Sequence, residues 1–126
     1  MDHRVFFSFD YDRDSWRANR IRNSGALHDL SVTGFWDQSL WESCKQAGND
    51  AVKRLIDDGL EDTSVTVVLI GASTASRGWV RYAIQRSYNR GNGLLGIYIH
   101  NIPDARGRSD FVGASPFRAL QIYFDF

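Results

Sequence analysis

The residues able to do chemistry fall into a few short stretches. Asp10 and Asp12 sit two positions apart directly after an apolar run, Arg13 and Arg17 lie one helical turn apart, and Ser73 stands in a small-residue turn ahead of Trp79. A carboxylate pair raises the question of a metal, but His3, His28, His100 and Cys44 hold no ligand spacing with one another, so no metal is expected. Gly91, Gly93 and Gly96 satisfy GxGxxG in form. That fingerprint works by following a strand and opening a helix, whereas this one precedes a strand, so it reads as a helix stop and tight turn. No GxxxxGK[ST] run is present, which excludes a phosphate-cradling loop of that type. A phosphoacceptor aspartate at the end of a third strand is excluded too, because Ile70, Gly71 and Ala72 stand there.

The elements that must position these residues alternate strand and helix. Arg4 to Phe9 (RVFFSF) reads as a buried first strand. Asp10 and Asp12 offer N-cap oxygens for a helix from about Arg13 to Asn23, with Trp16 and Ile21 as its apolar anchors. Gly34 to Trp36 reads as a short second strand. From Asn49 to Leu60 the helical period is clearest: Ala51, Val52, Leu55, Ile56 and Leu60 share one face, Lys53, Arg54 and Asp57 face away, and Gly59 marks the end. Val65 to Ile70 is a continuous apolar run, the pattern of a strand covered on both faces of a parallel sheet, and Leu94 to Ile99 repeats it. The helix between them, Trp79 to Asn89, completes a right-handed crossover. Leu120 to Phe124 reads as a last strand after which the chain stops early. The sum is a single α/β domain over 1–126, an open, mostly parallel sheet flanked by helices on both faces, with its ligand site outside the carboxyl ends of the strands.

Composition narrows the function classes. The chain has 126 residues, 43% of them hydrophobic, enough for one core without metal or disulfide staples. Fifteen basic and fifteen acidic residues cancel, so no net field steers it toward nucleic acid or an anionic membrane. A lone cysteine, no cationic leader and no apolar run of membrane-spanning length lead to the expectation of a soluble, cytoplasmic protein.

Four blocks then agree in order and place. RVFFSFDYDRDSW resembles the opening of a TIR domain, GFWD its second strand and following loop, VLIGASTASRGWVRYAI its third strand, serine-bearing loop and tryptophan helix, and GNGLLGIYIHNI the next strand. Together, over Arg4 to Asn101, they most resemble the TIR-like branch of bacterial antiphage systems of the Thoeris type, which implies a flavodoxin-like fold. The resemblance further implies an NAD+-cleaving enzyme that senses a phage component and cyclises ADP-ribose into a diffusible signal for a separate effector protein. Homo-oligomeric assembly also belongs to that expectation.

Carried over residue by residue, the resemblance places Phe9, Asp10, Tyr11, Arg13, Trp16, Asp37, Ser73 and Trp79 at the nucleotide. The Phe9 ring stacks on a base or is simply core, and Asp10 holds ribose. Arg13 and Arg17 meet the pyrophosphate or face solvent. Ser73 bonds ribose or closes its loop, and Trp79 shapes the pocket by packing. The position of the family's catalytic glutamate is Ala83. Alanine cannot stabilise charge on the ribose, so the chain is expected to be nearly inert. An introduced Glu→Ala change, favoured by the retained surroundings, a natural loss leaving a non-catalytic interaction module, or an ordinary core alanine would each explain it.

Overall fold

The computed structural model describes residues 4–117. Its strands are Arg4–Ser8 (β1), Ser31–Thr33 (β2), Val65–Ile70 (β3) and Gly93–Tyr98 (β4). Its helices are Tyr11–Arg22 (α1), Gln38–Ala47 (α2), Asn49–Leu60 (α3) and Gly78–Arg90 (α4), with a single 3-10 turn at Thr74–Ser76. All strand pairs are parallel and the order is β2-β1-β3-β4, the flavodoxin-like arrangement expected. The last strand expected at Leu120 to Phe124 lies outside the described residues.

Pleat alternation divides the core between two faces. Thr66, Val68 and Ile70 point toward α4, where the Thr66 and Ser87 hydroxyls meet at 2.7 Å and Val80 and Ile84 pack on Val68 and Ile70. Val67, Leu69 and Gly71 point the other way, and there α1 brings Asp14 against Gly71 so closely that a Cβ on the glycine would collide with the carboxylate. β3 is therefore covered on both faces, as its unbroken apolar run predicts. β4, with a similar run, pairs only with β3 among the described residues and leaves Leu95, Ile97 and Tyr98 exposed.

Several local expectations are corrected. α1 begins at Tyr11, because Asp10 caps it by accepting from the Asp12 and Arg13 amides, and Asp12 falls inside the first turn. Trp16 is no apolar anchor. It is 51% exposed, while the buried stripe of α1 is Tyr11, Asp14, Arg17 and Ala18. The second strand is Ser31–Thr33 instead of Gly34 to Trp36, since Gly34 leaves the ladder at φ 98° where a Cβ would collide with the Phe7 carbonyl. Gly59 lies within α3 and serves close packing: a Cβ there would press on the Trp36 and Phe6 rings. α2 had not been expected at all. Asp37 caps it through the Leu40 amide at 2.8 Å.

Candidate functional site

Between β1 and β3 the strand order changes direction, so the chains leaving their carboxyl ends part and open a crevice. A cleft of about 230 Å³ lies there. One wall is the exit of β1, Phe9 to Asp12; a second is the start of α4, Arg77 to Val80; Trp41 and Lys45 of α2 close the third side.

The β1 and α2 walls are built of rings. Phe9 stacks on Tyr11 with centroids 4.1 Å apart, and Tyr11 on Trp41 at 4.6 Å. Behind them Trp36 lies nearly parallel to Trp41. The Tyr11 hydroxyl donates to the Gly34 carbonyl and accepts from the Trp36 amide at 3.1 Å. Burial pushes its pKa up, so it stays a neutral donor and a fixed wall.

The polar groups on the α4 side are arranged differently. Asp10 is almost wholly buried. One of its oxygens caps α1, while the other accepts from Arg77 Nε at 2.8 Å. Lys45 Nζ stands 3.5 Å from Asp12 and 3.9 Å from Glu42, loose ion pairs at the solvent edge.

Beneath the cleft lies a smaller void of about 10 Å³, room for about one water. Ala83, 1% exposed, is on its wall with Phe6, Phe7 and Ile56. Phe9, Tyr11, Trp41, Trp79 and Val80 line both spaces, so Ala83 lies on a void that adjoins the cleft without itself lining the cleft. The lining of the void is aromatic and aliphatic apart from Ser8, and among the described residues no carboxylate lines it.

The other residues expected at the nucleotide are spread more widely. Phe9, Asp10, Tyr11 and Trp79 line the cleft, with Trp79 half-buried and edge-on to Tyr82. Arg13 does not line it: two of its nitrogens donate to the two oxygens of Asp110, both at 2.7 Å. That pair holds the Asp110 carboxyl down at about 2. Arg17 neither meets the cleft nor faces solvent. At 3% exposed it donates to Asp14 at 3.1 Å and to the carbonyls of Ile102 and Arg108. Trp16 lies in a separate surface hollow beside Asn19 and Arg20. Asp37 is engaged in capping α2, which lowers its pKa chiefly through the Leu40 amide. Ser73 offers its carbonyl to Ser76, and the group that closes the loop is Thr74, whose hydroxyl accepts from the Gly71 amide at 2.7 Å.

Asp12, Lys45 and Arg77 were missed as site residues. Arg77 stood directly before the Gly78-Trp79 helix start and could have been found there; Lys45 and the placement of Trp41 depended on the unread α2. Among the described residues no cluster of His, Cys, Asp and Glu could hold a metal, and no helix is long and apolar enough to cross a membrane.

Two comparisons with known proteins fit this geometry. The chain is 45% identical over 122 residues to a Bacillus cereus (strain MSX-D12) protein named "Putative cyclic ADP-D-ribose synthase ThsB1"; the match takes in 95% of this chain and 64% of that relative, so the chain spans less than two thirds of the relative's length. Residues 6–104, which include the cleft and Ala83, match the family model described as Thoeris protein ThsB, TIR-like domain. With the parallel 2-1-3-4 sheet and its cleft at the β1/β3 divide, the match over most of its length shows that the chain belongs to the Thoeris ThsB TIR-like family.

Proposed function

We propose that the cleft is an NAD+ site and that this chain, with alanine at position 83, binds the dinucleotide with little or no turnover. In the active form of such a domain the nicotinamide–ribose bond breaks and the ADP-ribose left behind closes into a cyclic signal. That signal carries news of phage infection to a separate effector. The relative named as a cyclic ADP-ribose synthase supports the reaction class, since that product is made from NAD+.

The observation that carries the reading is the position of Ala83 in the void that adjoins the cleft, behind walls that both spaces share. As nicotinamide leaves, positive charge develops on the ribose. A carboxylate rising from that void would stabilise that charge where water is excluded, and removing one such preorganised group costs on the order of a hundredfold to a thousandfold in rate. The void above Ala83 is too small for a glutamate side chain to remain inside it. A glutamate side chain there would extend toward the cleft, which shares Phe9, Tyr11, Trp41, Trp79 and Val80 with the void.

Nicotinamide release by purified protein, followed by chromatography, tests this. The parent chain should stay at background and Ala83→Glu should exceed it by about a hundredfold or more. Turnover by the parent itself would remove position 83 from the chemistry. A folded Ala83→Glu protein that neither turns over nor binds NAD+ would favour the alternative, a non-catalytic module acting through assembly.

A further inference from the structure

Three arginines stand at the carboxyl edge of the sheet, and their nitrogens are engaged to different degrees. Arg13 and Arg17 spend their donors on Asp110, on Asp14 and on two backbone carbonyls of the segment after β4. Arg77 gives only Nε, to Asp10, and its two terminal nitrogens have no hydrogen-bond or ion-pair partner among the described residues. Its side chain is 44% exposed and lines the cleft.

The bond to Asp10 fixes the Arg77 side chain to a buried carboxylate that also caps α1, so the unused end of the guanidinium is held in place at little further cost in rotamer freedom. Such a fork matches the paired oxygens of a phosphate group. Lys45 faces the same space with ion pairs too long for tight hydrogen bonds. The first turn of α4, on the same wall, contains no acidic residue and no side-chain cap, which adds potential of the same sign.

We infer that Arg77 is the residue that takes the diphosphate of a nucleotide in this cleft, through its two terminal nitrogens while Nε stays on Asp10, with Lys45 as the second cation. The inference rests on reading the cleft as a dinucleotide site and assigns within it a role that Arg13 and Arg17 cannot fill as placed.

Calorimetry with two probes, ADP-ribose and adenosine, tests it on the parent chain, Arg77→Gln and a charge control, Arg54→Gln, on the outer face of α3. Arg77→Gln should weaken ADP-ribose by about tenfold or more, the value of losing charge-assisted hydrogen bonds, and leave adenosine unchanged. Raising salt should weaken ADP-ribose binding to the parent more than to Arg77→Gln. Arg77→Lys, which keeps a cation over Asp10 should Arg77→Gln fail to fold, should also weaken ADP-ribose selectively, because a point charge replaces the fork. Parent-like affinity in a folded Arg77 variant overturns the inference alone, as does an equal loss for both probes. A parent chain that binds neither probe overturns the dinucleotide reading and this inference with it.

Discussion

Two arginine–carboxylate clusters share one edge of the sheet and are built to opposite ends. In the first, Arg17 is buried with Asp14 and joined by Arg13 and Asp110, so that α1 is tied to the segment after β4 across some 90 residues of sequence. In the second, Asp10 is buried but Arg77 reaches it with one nitrogen and leaves the rest in the cleft. The residue types are the same. What separates them is how many nitrogens are engaged: Arg17 has all three bonded and holds the fold together, whereas Arg77 has one bonded and two available to a ligand.

The saturated cluster should break hardest. Arg17→Ala removes the partner of a fully buried carboxylate that already has one oxygen without a hydrogen bond. Breaking a buried pair from one side costs about 3–5 kcal/mol, so thermal denaturation should show a large fall in Tm. Asp14→Asn in the same chain should recover part of it, since the uncompensated charge is gone. A small Tm change for Arg17→Ala alone would mean that the cluster is solvated and the contrast with Arg77 false.

Trp79 tests the boundary between the two roles because its ring is both packing and wall. A fully buried tryptophan loses ~3–5 kcal/mol on truncation, whereas Trp79 is half-buried, so Trp79→Ala should cost roughly 2 kcal/mol. It should also lose nucleotide binding, by opening the adjoining void to the cleft. A parent-like Tm with lost binding would make it wall alone.

The mildest test is pH. The Arg13 hydrogen bond and then the Phe111 amide depress the Asp110 carboxyl from 3.8 to about 2, against burial. A depressed carboxyl contributes stability that is present above its unfolded value and lost as pH falls through the folded one. Asp110→Asn should therefore flatten the acid limb of stability between about pH 4 and 2. Asp14 acts in the opposite direction: burial raises its carboxyl, so it favours the fold more when protonated, and Asp14→Asn should leave that acid limb in place. An Asp110→Asn profile that overlays the parent would show that the Arg13 clamp adds nothing to stability.

By itself the sequence determined what local patterns can encode. β3 was legible because VTVVLI is apolar without a break and α3 because its apolar residues recur at helical spacing, whereas the start of α1 was not, since Asp10 and Asp12 both offered capping oxygens. The four blocks that resemble a TIR domain also put Phe9, Asp10, Tyr11 and Trp79 within reach of one site, and these four line the cleft. Only the tertiary structure decided which charges are structural. Arg17 read as a pyrophosphate ligand or a solvent-facing side chain until Ile102, Arg108 and Asp110 return from far along the chain to partner it. Trp16 looked like an anchor because a large aromatic is usually buried, yet α1 presents its charged stripe to the sheet and its tryptophan to solvent. Arg77 was marked only by its place before the Gly78-Trp79 helix start. Its role depends on a carboxylate 67 residues away, and a hydrogen bond across that separation exists only once the strands have paired and their ends have parted around the cleft.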